Sequence, residues 1–198
     1  MLILGLTGGM GSGKGYCSEI FAEYGIMAID TDKVSRNVVQ KGKPCLDELA
    51  ASFGSSILDE NGELIRKNLA ALAFESTEKT ELLNSITHKY ILEECKDFIR
   101  EREANGDFAC IIDAPLLFES KFNCICDYTV CVLSDLPTRL HRVFLRDGIS
   151  AQDAMKRIEK QHTNEFFRAS CDFSIYNSDG DDPRAQIGII VQQLKMRA

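Results

Sequence analysis

A glycine-rich segment near the amino terminus, Gly8 to Lys14, constrains the fold of this chain more than any other feature. The segment reads GGMGSGK and matches the pattern G-x-x-x-x-G-K of a phosphate-binding loop. It follows the apolar run LILGLT at residues 2–7 and precedes a segment whose apolar residues have helical spacing. A strand, a glycine loop and a helix in this order are the context that the motif requires, because loop amides and the helix amino terminus together bind phosphate.

The apolar runs that follow predict a parallel α/β sheet. The first helix ends at Gly25, and the run IMAID at residues 26–30 completes a strand–helix–strand unit. Further short, buried strands are predicted at residues 108–113 and 128–133 and near 173–176, which gives five strands in all.

Residues 32–104 are predicted to be almost wholly helical and to form a cap over one edge of the sheet. Pro44 begins one helix, Gly54 and Gly62 mark turns, and Thr77 to Glu103 keeps helical apolar spacing throughout. Three more helices are predicted after the fourth strand. They cover residues 136–147, residues 151–161 and the closing segment that carries Ile187, Ile190, Val191 and Leu194 on one face.

Charge and hydropathy limit the classes of function. The net charge of -7 argues against a general nucleic-acid-binding protein, although a local cluster of Lys and Arg can still bind small anions. No basic segment precedes the first apolar run, and no apolar stretch reaches the roughly 18–20 residues that span a bilayer. We therefore expect no secretion signal, no membrane span and a cytosolic location.

The eight cysteines show no C-x-x-C spacing, and most lie in apolar stretches such as FACII and YTVCVL. This pattern predicts reduced, mostly buried thiols that pack as small apolar groups. A metal or redox role is the alternative.

Carboxylates follow the second and third predicted strands. Ligands of a doubly wound sheet bind outside the carboxyl ends of its strands, so Asp30, Asp32 and Asp113 should lie near the phosphate loop. Asp32 is the favoured general base for an attacking hydroxyl, whereas Asp30 is more typical of a helix cap. Asp113 either binds magnesium or its water shell, or only shapes the turn before Pro115.

Basic residues cluster after the fourth strand. Arg139, Arg142 and Arg146 have the spacing of one helix face. The guanidinium group of arginine can donate to two phosphate oxygens at once. We expect a lid that clamps phosphates, and a solvated charged surface is the alternative. The three histidines are scattered; His88 either contacts a substrate in the helical region or is a polar surface residue.

Six short segments, taken in order, resemble the motifs of the dephospho-CoA kinase family. They are LTGGMGSGK at residues 6–14, IDTDKVSR at 29–36, DAPLLFE at 113–119, RVFLRD at 142–147, RIEKQ at 157–161 and CDFSIYNSDG at 171–180; the region around His88 is also similar. Their order and spacing agree from residue 2 to about residue 195. The resemblance covers essentially the whole chain. Several motifs in the right order are far more specific evidence for a family than the phosphate loop alone.

The resemblance implies a single domain, residues 1–198, with a P-loop NTPase fold of the nucleoside-monophosphate-kinase type. Its parallel five-stranded core would comprise residues 1–31 and 106–198. A helical acceptor-binding region would occupy residues 32–105 or thereabouts, and a small lid about residues 136–165.

The implied reaction transfers the γ-phosphoryl group of ATP to the ribose 3′-hydroxyl of dephospho-CoA, giving CoA and ADP in the last step of CoA biosynthesis. Asp32, Lys14 and Arg142 would be catalytic, and Arg139, which matches no family motif, should matter less. ATP would be bound by Gly9, Gly11, Ser12, Gly13, Lys14, Gly15, Tyr16, Arg142 and Asn177. The acceptor would be bound by Asp32, Arg36, His88 and Leu116, and Mg²⁺ would be held by Asp113 through water. The partners would be these small molecules, with no nucleic acid or membrane, and the chain would be a monomer or a weak homo-oligomer.

One position departs from the family pattern. A Ser or Thr that binds Mg²⁺ normally follows the loop lysine, but here Gly15 and then Tyr16 follow Lys14. Phosphate binding survives this change, whereas the usual magnesium ligand is absent. Two alternatives stay open: a kinase for another small acceptor, and, because of Gly15, a nucleotide-binding protein with impaired turnover.

Overall fold

The computed structural model describes residues 1–197 and contains five strands and nine α-helices within them. The strands are β1 (Leu2–Thr7), β2 (Met27–Asp30), β3 (Ala109–Asp113), β4 (Tyr128–Leu133) and β5 (Phe173–Tyr176). The helices are α1 (Lys14–Glu23), α2 (Thr31–Asn37), α3 (Pro44–Phe53), α4 (Arg66–Ala73), α5 (Thr77–Ala104), α6 (Leu136–Asp147), α7 (Ala151–Ile158), α8 (Asn164–Ser170) and α9 (Pro183–Lys195). Short 3₁₀ turns occupy Ser55–Ile57 and Phe122–Ile125.

The five strands form one sheet in the order β2-β3-β1-β4-β5. The central strand β1 runs parallel to both β3 and β4, and β4 runs parallel to β5. The parallel five-stranded α/β sheet that the sequence predicts is confirmed. Because parallel strands end at the same edge, the residues that follow β1, β3, β4 and β5 all emerge on one side of the sheet.

Successive residues of β4 face opposite sides of the sheet and enter different apolar clusters. Val130 and Val132 belong to a core that includes buried residues of α1 and α9. Cys131 and Leu133 pack in a second cluster with Phe167 of α8. The strand is therefore apolar on both faces, as expected for a parallel sheet with helices on either side.

The chain divides into two compact units. One comprises Met1–Ile29 together with the chain from Ile99 onward, and the other comprises Asp30–Phe98. The second unit holds α2, α3, α4 and most of α5. Within it the carboxylate of Glu48 on α3 accepts hydrogen bonds from Tyr90 Oη (2.6 Å) and Lys89 Nζ (2.8 Å) of α5. The acceptor-binding role of this helical region and the lid role of residues 136–165 stay predictions.

Three local features differ from the sequence expectations. The helix α7 ends at Ile158 rather than at residue 161, and α8 was not predicted at all. Thr163 caps α8, accepting a hydrogen bond from the amide of Phe166 (3.3 Å), so the missed signal is a Thr before a short helical segment. The mostly helical second unit also contains an antiparallel bridge between Leu58 and Leu64, around the turn at Gly62.

The eight cysteines are free thiols, and five of them are buried: Cys17, Cys45, Cys95, Cys110 and Cys131. Burial raises the pKa of the Cys17 thiol to about 12 and that of the Cys110 thiol to about 11. The prediction that most of these thiols are buried is confirmed.

None of the helices in the described part of the chain is both long enough and apolar enough to cross a bilayer. The longest, α5, has 28 residues and carries charged side chains along its whole length.

Replacing Ile187 with alanine should lower the free energy of unfolding by about 2–5 kcal/mol, because its side chain is fully buried in the core beneath the sheet. Ile189 lies in the same helix but is 57% exposed, so Ile189→Ala should change stability by about 0.5 kcal/mol or less. Urea unfolding followed by circular dichroism measures both. Equal losses would contradict the burial pattern of α9.

Candidate active site

The glycines between β1 and α1 adopt backbone conformations that other residues avoid. The φ angles of Gly8, Gly11 and Gly13 are 151°, 78° and 88°, and Gly13 is the left-handed N-cap of α1. Space is also limiting, since a Cβ atom on Gly11 would lie 2.6 Å from the carbonyl oxygen of Arg139. A side chain at Gly13 would collide with the amide of Asn177. Only glycine satisfies both constraints at these positions.

The amides of Gly11 and Gly13 are free to bind a ligand. Neither donates a hydrogen bond to any atom of residues 1–197. The first amides of α1 follow directly, and they lack helical acceptors because they begin the helix. Free amides beside the positive end of a helix are a binding site for phosphate oxygens.

Ser12 supplies a second unsatisfied group in the loop. Its side chain is buried, and its Oγ has no hydrogen-bond partner among the described atoms. A buried, unpaired hydroxyl costs free energy. The loop is therefore incomplete as a hydrogen-bonded structure, which is consistent with a site shaped to receive a polar ligand.

Two residues hold the carbonyl oxygen of Ser12 from outside the loop. Asn177, just after β5, donates its Nδ2 to this oxygen at 2.8 Å. Arg142 of α6 donates its Nη1 to the same oxygen at 3.4 Å and to the carbonyl of Asn177 at 2.8 Å. The structure thus brings Ser12, Arg142 and Asn177 together. That Asn177 binds ATP stays a prediction.

Two further residues hold Met10. Arg139 of α6 donates its Nε to the carbonyl of Met10 at 2.8 Å, and the amide of Met10 donates to Oε1 of Gln161 at 2.8 Å. Arg139 is only 5% exposed, and this burial lowers the pKa of its guanidinium.

The three arginines of α6 therefore do not share one environment. Arg139 is buried against the loop, Arg142 is half-buried beside Ser12, and Arg146 is exposed and pairs with the adjacent Asp147 at 2.7 and 2.9 Å. That these arginines clamp phosphates stays a prediction. Helical spacing alone did not indicate the burial of Arg139, because spacing does not show which residues on a face are covered by other elements.

Lys14 and Asp113 form an ion pair at the ends of β1 and β3. The side chain of Lys14 is 17% exposed and that of Asp113 is 8% exposed. Asp113 is thus more than a turn residue before Pro115, because it holds the loop lysine. No group of three or more His, Cys, Asp or Glu residues that could hold a metal ion occurs within residues 1–197.

Gly15 is exposed in the first turn of α1, and a Cβ atom placed there would meet nothing within 4 Å. A serine would therefore fit at this position without displacing any neighbour. Nothing in the structure explains why glycine stands here. Tyr16 is 50% exposed.

Two acidic residues, Asp30 and Asp32, lie where β2 ends and α2 begins. Asp30 caps the helix, accepting hydrogen bonds from the amides of Asp32 (2.9 Å) and Lys33 (3.1 Å), so its interpretation as a helix cap is confirmed. Asp32 is exposed, with no role in capping, which leaves its carboxylate available for chemistry. Arg36 is exposed in the last turn of the same helix.

The remaining predicted acceptor residues lie on different elements. His88 is half-buried on α5, and burial lowers the pKa of its imidazole. Leu116 follows β3 and is 57% exposed, whereas the adjacent Leu117 is fully buried. An exposed leucine held by a buried neighbour can contact an apolar part of a ligand.

One contact in this region was not anticipated from the sequence. His162, which follows the motif RIEKQ, lies 3.4 Å from the carboxylate of Glu119 and stacks on the ring of Phe166 at 3.7 Å. The end of the predicted lid is therefore in contact with the DAPLLFE segment.

Comparisons with known proteins agree with this geometry. A family model described as dephospho-CoA kinase matches residues 2–182. The dephospho-CoA kinase of Corynebacterium efficiens is 37% identical to this chain over 198 residues, covering 100% of this chain and 99% of the relative.

Solved structures show the same fold. The crystal structure of TT1252 from Thermus thermophilus has a TM-score of 0.80 at 23% identity, covering 97% of this chain and 96% of the other. The dephospho-CoA kinase from Campylobacter jejuni has a TM-score of 0.69 at 22% identity, covering 99% and 98%. At these identities the likeness concerns the fold alone, which is that of a P-loop kinase. Because the dephospho-CoA kinase family model matches residues 2–182, this chain belongs to the dephospho-CoA kinase family.

Proposed function

We propose that this chain transfers the γ-phosphoryl group of ATP to the ribose 3′-hydroxyl of dephospho-CoA, giving CoA and ADP. The observation that carries the proposal is the phosphate loop with free Gly11 and Gly13 amides, in a chain of this family. The Lys14–Asp113 pair at the same edge of the sheet supports it. The expected setting is the cytoplasm, with no membrane or nucleic acid involved, and the chain acts as a monomer or a weak homo-oligomer.

The residues have separate tasks in this proposal. The loop amides and Lys14 bind the outer phosphates of ATP, and Arg142 adds a positive charge beside them. Such preorganised charges lower the barrier because they stabilise the charge of the transferring group in the transition state. Asp32 accepts the proton of the attacking 3′-hydroxyl. Arg36, His88 and Leu116 contact the acceptor.

Magnesium fits the site with few protein ligands. Mg²⁺ usually keeps several waters and takes its other ligands from substrate phosphates, and when bound it neutralises phosphate charge. Asp113 would hold it through water, in the absence of a hydroxyl at Gly15. The single buried carboxylate at the end of β3 is consistent with this arrangement.

Two other functions compete with this proposal: a kinase for a nucleoside or another small acceptor, and a binding protein without turnover. The deciding experiment incubates the protein with ATP, magnesium and dephospho-CoA and detects CoA by mass spectrometry, with a panel of other acceptors in parallel. We expect CoA to be the dominant product. Phosphorylation of another acceptor alone, or ATP binding without any product, would refute the proposal.

Asp32→Asn should leave ATP affinity nearly unchanged but lower kcat by about 10²–10⁴-fold, because a general base is lost. Asp30→Asn is the matched control. Asparagine caps helices as well as aspartate does, so the Asp30→Asn variant should keep most of the wild-type turnover. Steady-state kinetics and ATP titration of both variants make the test. A loss of less than fivefold in Asp32→Asn would remove this residue from the mechanism.

Arg142→Ala should lower kcat by roughly 10²–10³-fold, by analogy with the removal of one transition-state donor. Arg146→Ala should lower it far less, because Arg146 is exposed and pairs with Asp147. Similar losses in the two variants would show that α6 acts only as a charged surface.

Gly15→Ser should lower the magnesium concentration needed for half-maximal activity and raise turnover. The structure has space for the side chain. A contact between the metal and the hydroxyl should be worth about 1–3 kcal/mol, like a charge-assisted hydrogen bond, which corresponds to roughly a ten- to a hundredfold change in rate or metal affinity. Gly15→Ala is the control, since it shares the stabilising effect on the helix but lacks the hydroxyl. If the serine and alanine variants show the same magnesium dependence, the hydroxyl is not missed in this protein.

A further inference from the structure

Met10 stands at the tip of the phosphate loop, and both polar groups of its main chain are held by side chains distant in sequence. Its carbonyl accepts from Arg139 Nε at 2.8 Å, and its amide donates to Gln161 Oε1 at 2.8 Å. Arg139 Nη2 also donates to Gln161 Oε1 at 3.3 Å, which closes a ring of three hydrogen bonds. Arg139 lies on α6 and Gln161 follows α7. The ring therefore fastens the tip of the loop to the segment predicted to be the lid.

The planarity of the peptide bond gives this ring a consequence for ligand binding. The carbonyl of Met10 and the amide of Gly11 belong to one peptide unit, and in a trans peptide they point in opposite directions. Since Arg139 holds the carbonyl on the protein side, the Gly11 amide must face away from it. That amide has no protein partner, so it is presented to a ligand. Asn177 acts in the same way on the carbonyl of Ser12 and the amide of Gly13.

The charge of Arg139 is also uncompensated. The guanidinium is buried, yet no carboxylate of residues 1–197 lies within ion-pair distance of it. A buried charge is costly unless it is paired. Its neighbours are the loop residues, because a Cβ atom on Gly9 would collide with the guanidinium. An anion bound in the loop would offset this charge.

We propose that Arg139 and Gln161 are positioning residues for the ATP phosphates: together they orient the Met10–Gly11 peptide, and Arg139 adds positive charge behind the loop. This inference rests on the proposed function, of which it specifies the nucleotide side. It predicts effects on phosphate binding rather than on acceptor binding. A merely structural role would instead lower thermal stability and leave nucleotide affinity unchanged in the folded protein.

The test compares three variants by calorimetric titration with ADP at low and high potassium chloride concentration. Gln161→Ala removes the acceptor of the Met10 amide. Arg139→Gln removes the charge but keeps an amide donor, and Arg139→Lys keeps the charge. Matched controls on α7 are Gln152→Ala and Lys156→Gln, two exposed residues outside the ring. Melting temperatures show which variants fold, and Gln161→Ala, at a half-buried position, keeps the test valid if the Arg139 variants unfold.

We expect Gln161→Ala and Arg139→Gln to raise the Kd for ADP by about tenfold to a hundredfold, the effect of losing hydrogen bonds to a charged group. Arg139→Lys should lose less affinity than Arg139→Gln. Salt should weaken ADP binding less in Arg139→Gln than in the wild type, because one screened attraction is gone. The KM for dephospho-CoA should stay within about twofold in both Gln161→Ala and Arg139→Gln, since uniform loss of nucleotide contacts leaves acceptor binding intact. The controls should match the wild type.

Folded Gln161→Ala and Arg139→Gln variants that bind ADP like the wild type would overturn the proposal. Equal salt dependence in Arg139→Gln and wild type would overturn its electrostatic part. ADP titration does not require phosphoryl transfer, so it separates this inference from the proposed function. If the wild type binds ADP but makes no CoA, the proposed function fails while the positioning of the loop is still measured.

Discussion

The fixed orientation of two peptide units in the phosphate loop is the constraint on which the rest of the site depends. The carbonyls of Met10 and Ser12 are held by side chains from outside the loop, at 2.8 Å in each case. The amides of Gly11 and Gly13 belong to the same peptide units and are left without protein partners. An anion site made of backbone amides works only if those amides cannot rotate to donate hydrogen bonds to acceptors within the protein. Hydrogen bonds to the carbonyls provide this restriction before any ligand arrives.

The parallel sheet explains how these side chains reach the loop. β1 lies between β3 and β4, and β5 follows β4, so the ends of four parallel strands share one edge. β3 delivers Asp113 to Lys14, β4 leads into α6 with its arginines, and β5 ends just before Asn177. A residue separated from the loop by more than a hundred positions becomes its direct neighbour. The glycines make this approach possible, because a Cβ atom on Gly11 would collide with the main chain of Arg139.

The sequence predicted the elements well where the signal was local. Two elements have the bounds that were expected: the strand at residues 2–7 and the helix at residues 136–147. The burial of a strand and the capping of a helix are both determined by residues that are close in sequence. It failed where tertiary contacts decide. Arg139 looks like a surface arginine on a basic helix, and only its packing against the loop, across 129 positions, shows that it is buried. The short helix α8 escaped notice for a similar reason, since its one strong apolar anchor, Phe167, packs against β4.

The most direct test of the oriented loop is amide hydrogen exchange, measured by nuclear magnetic resonance with and without nucleotide. We expect the amides of Gly11 and Gly13 to exchange rapidly in the free protein and to become protected when ADP is added. Adenosine, which lacks phosphates, should leave them unprotected at a concentration that perturbs the rest of the nucleotide site. Protection of both amides in the free protein, or equal protection by adenosine and ADP, would contradict the claim that these peptide units are held open for phosphate.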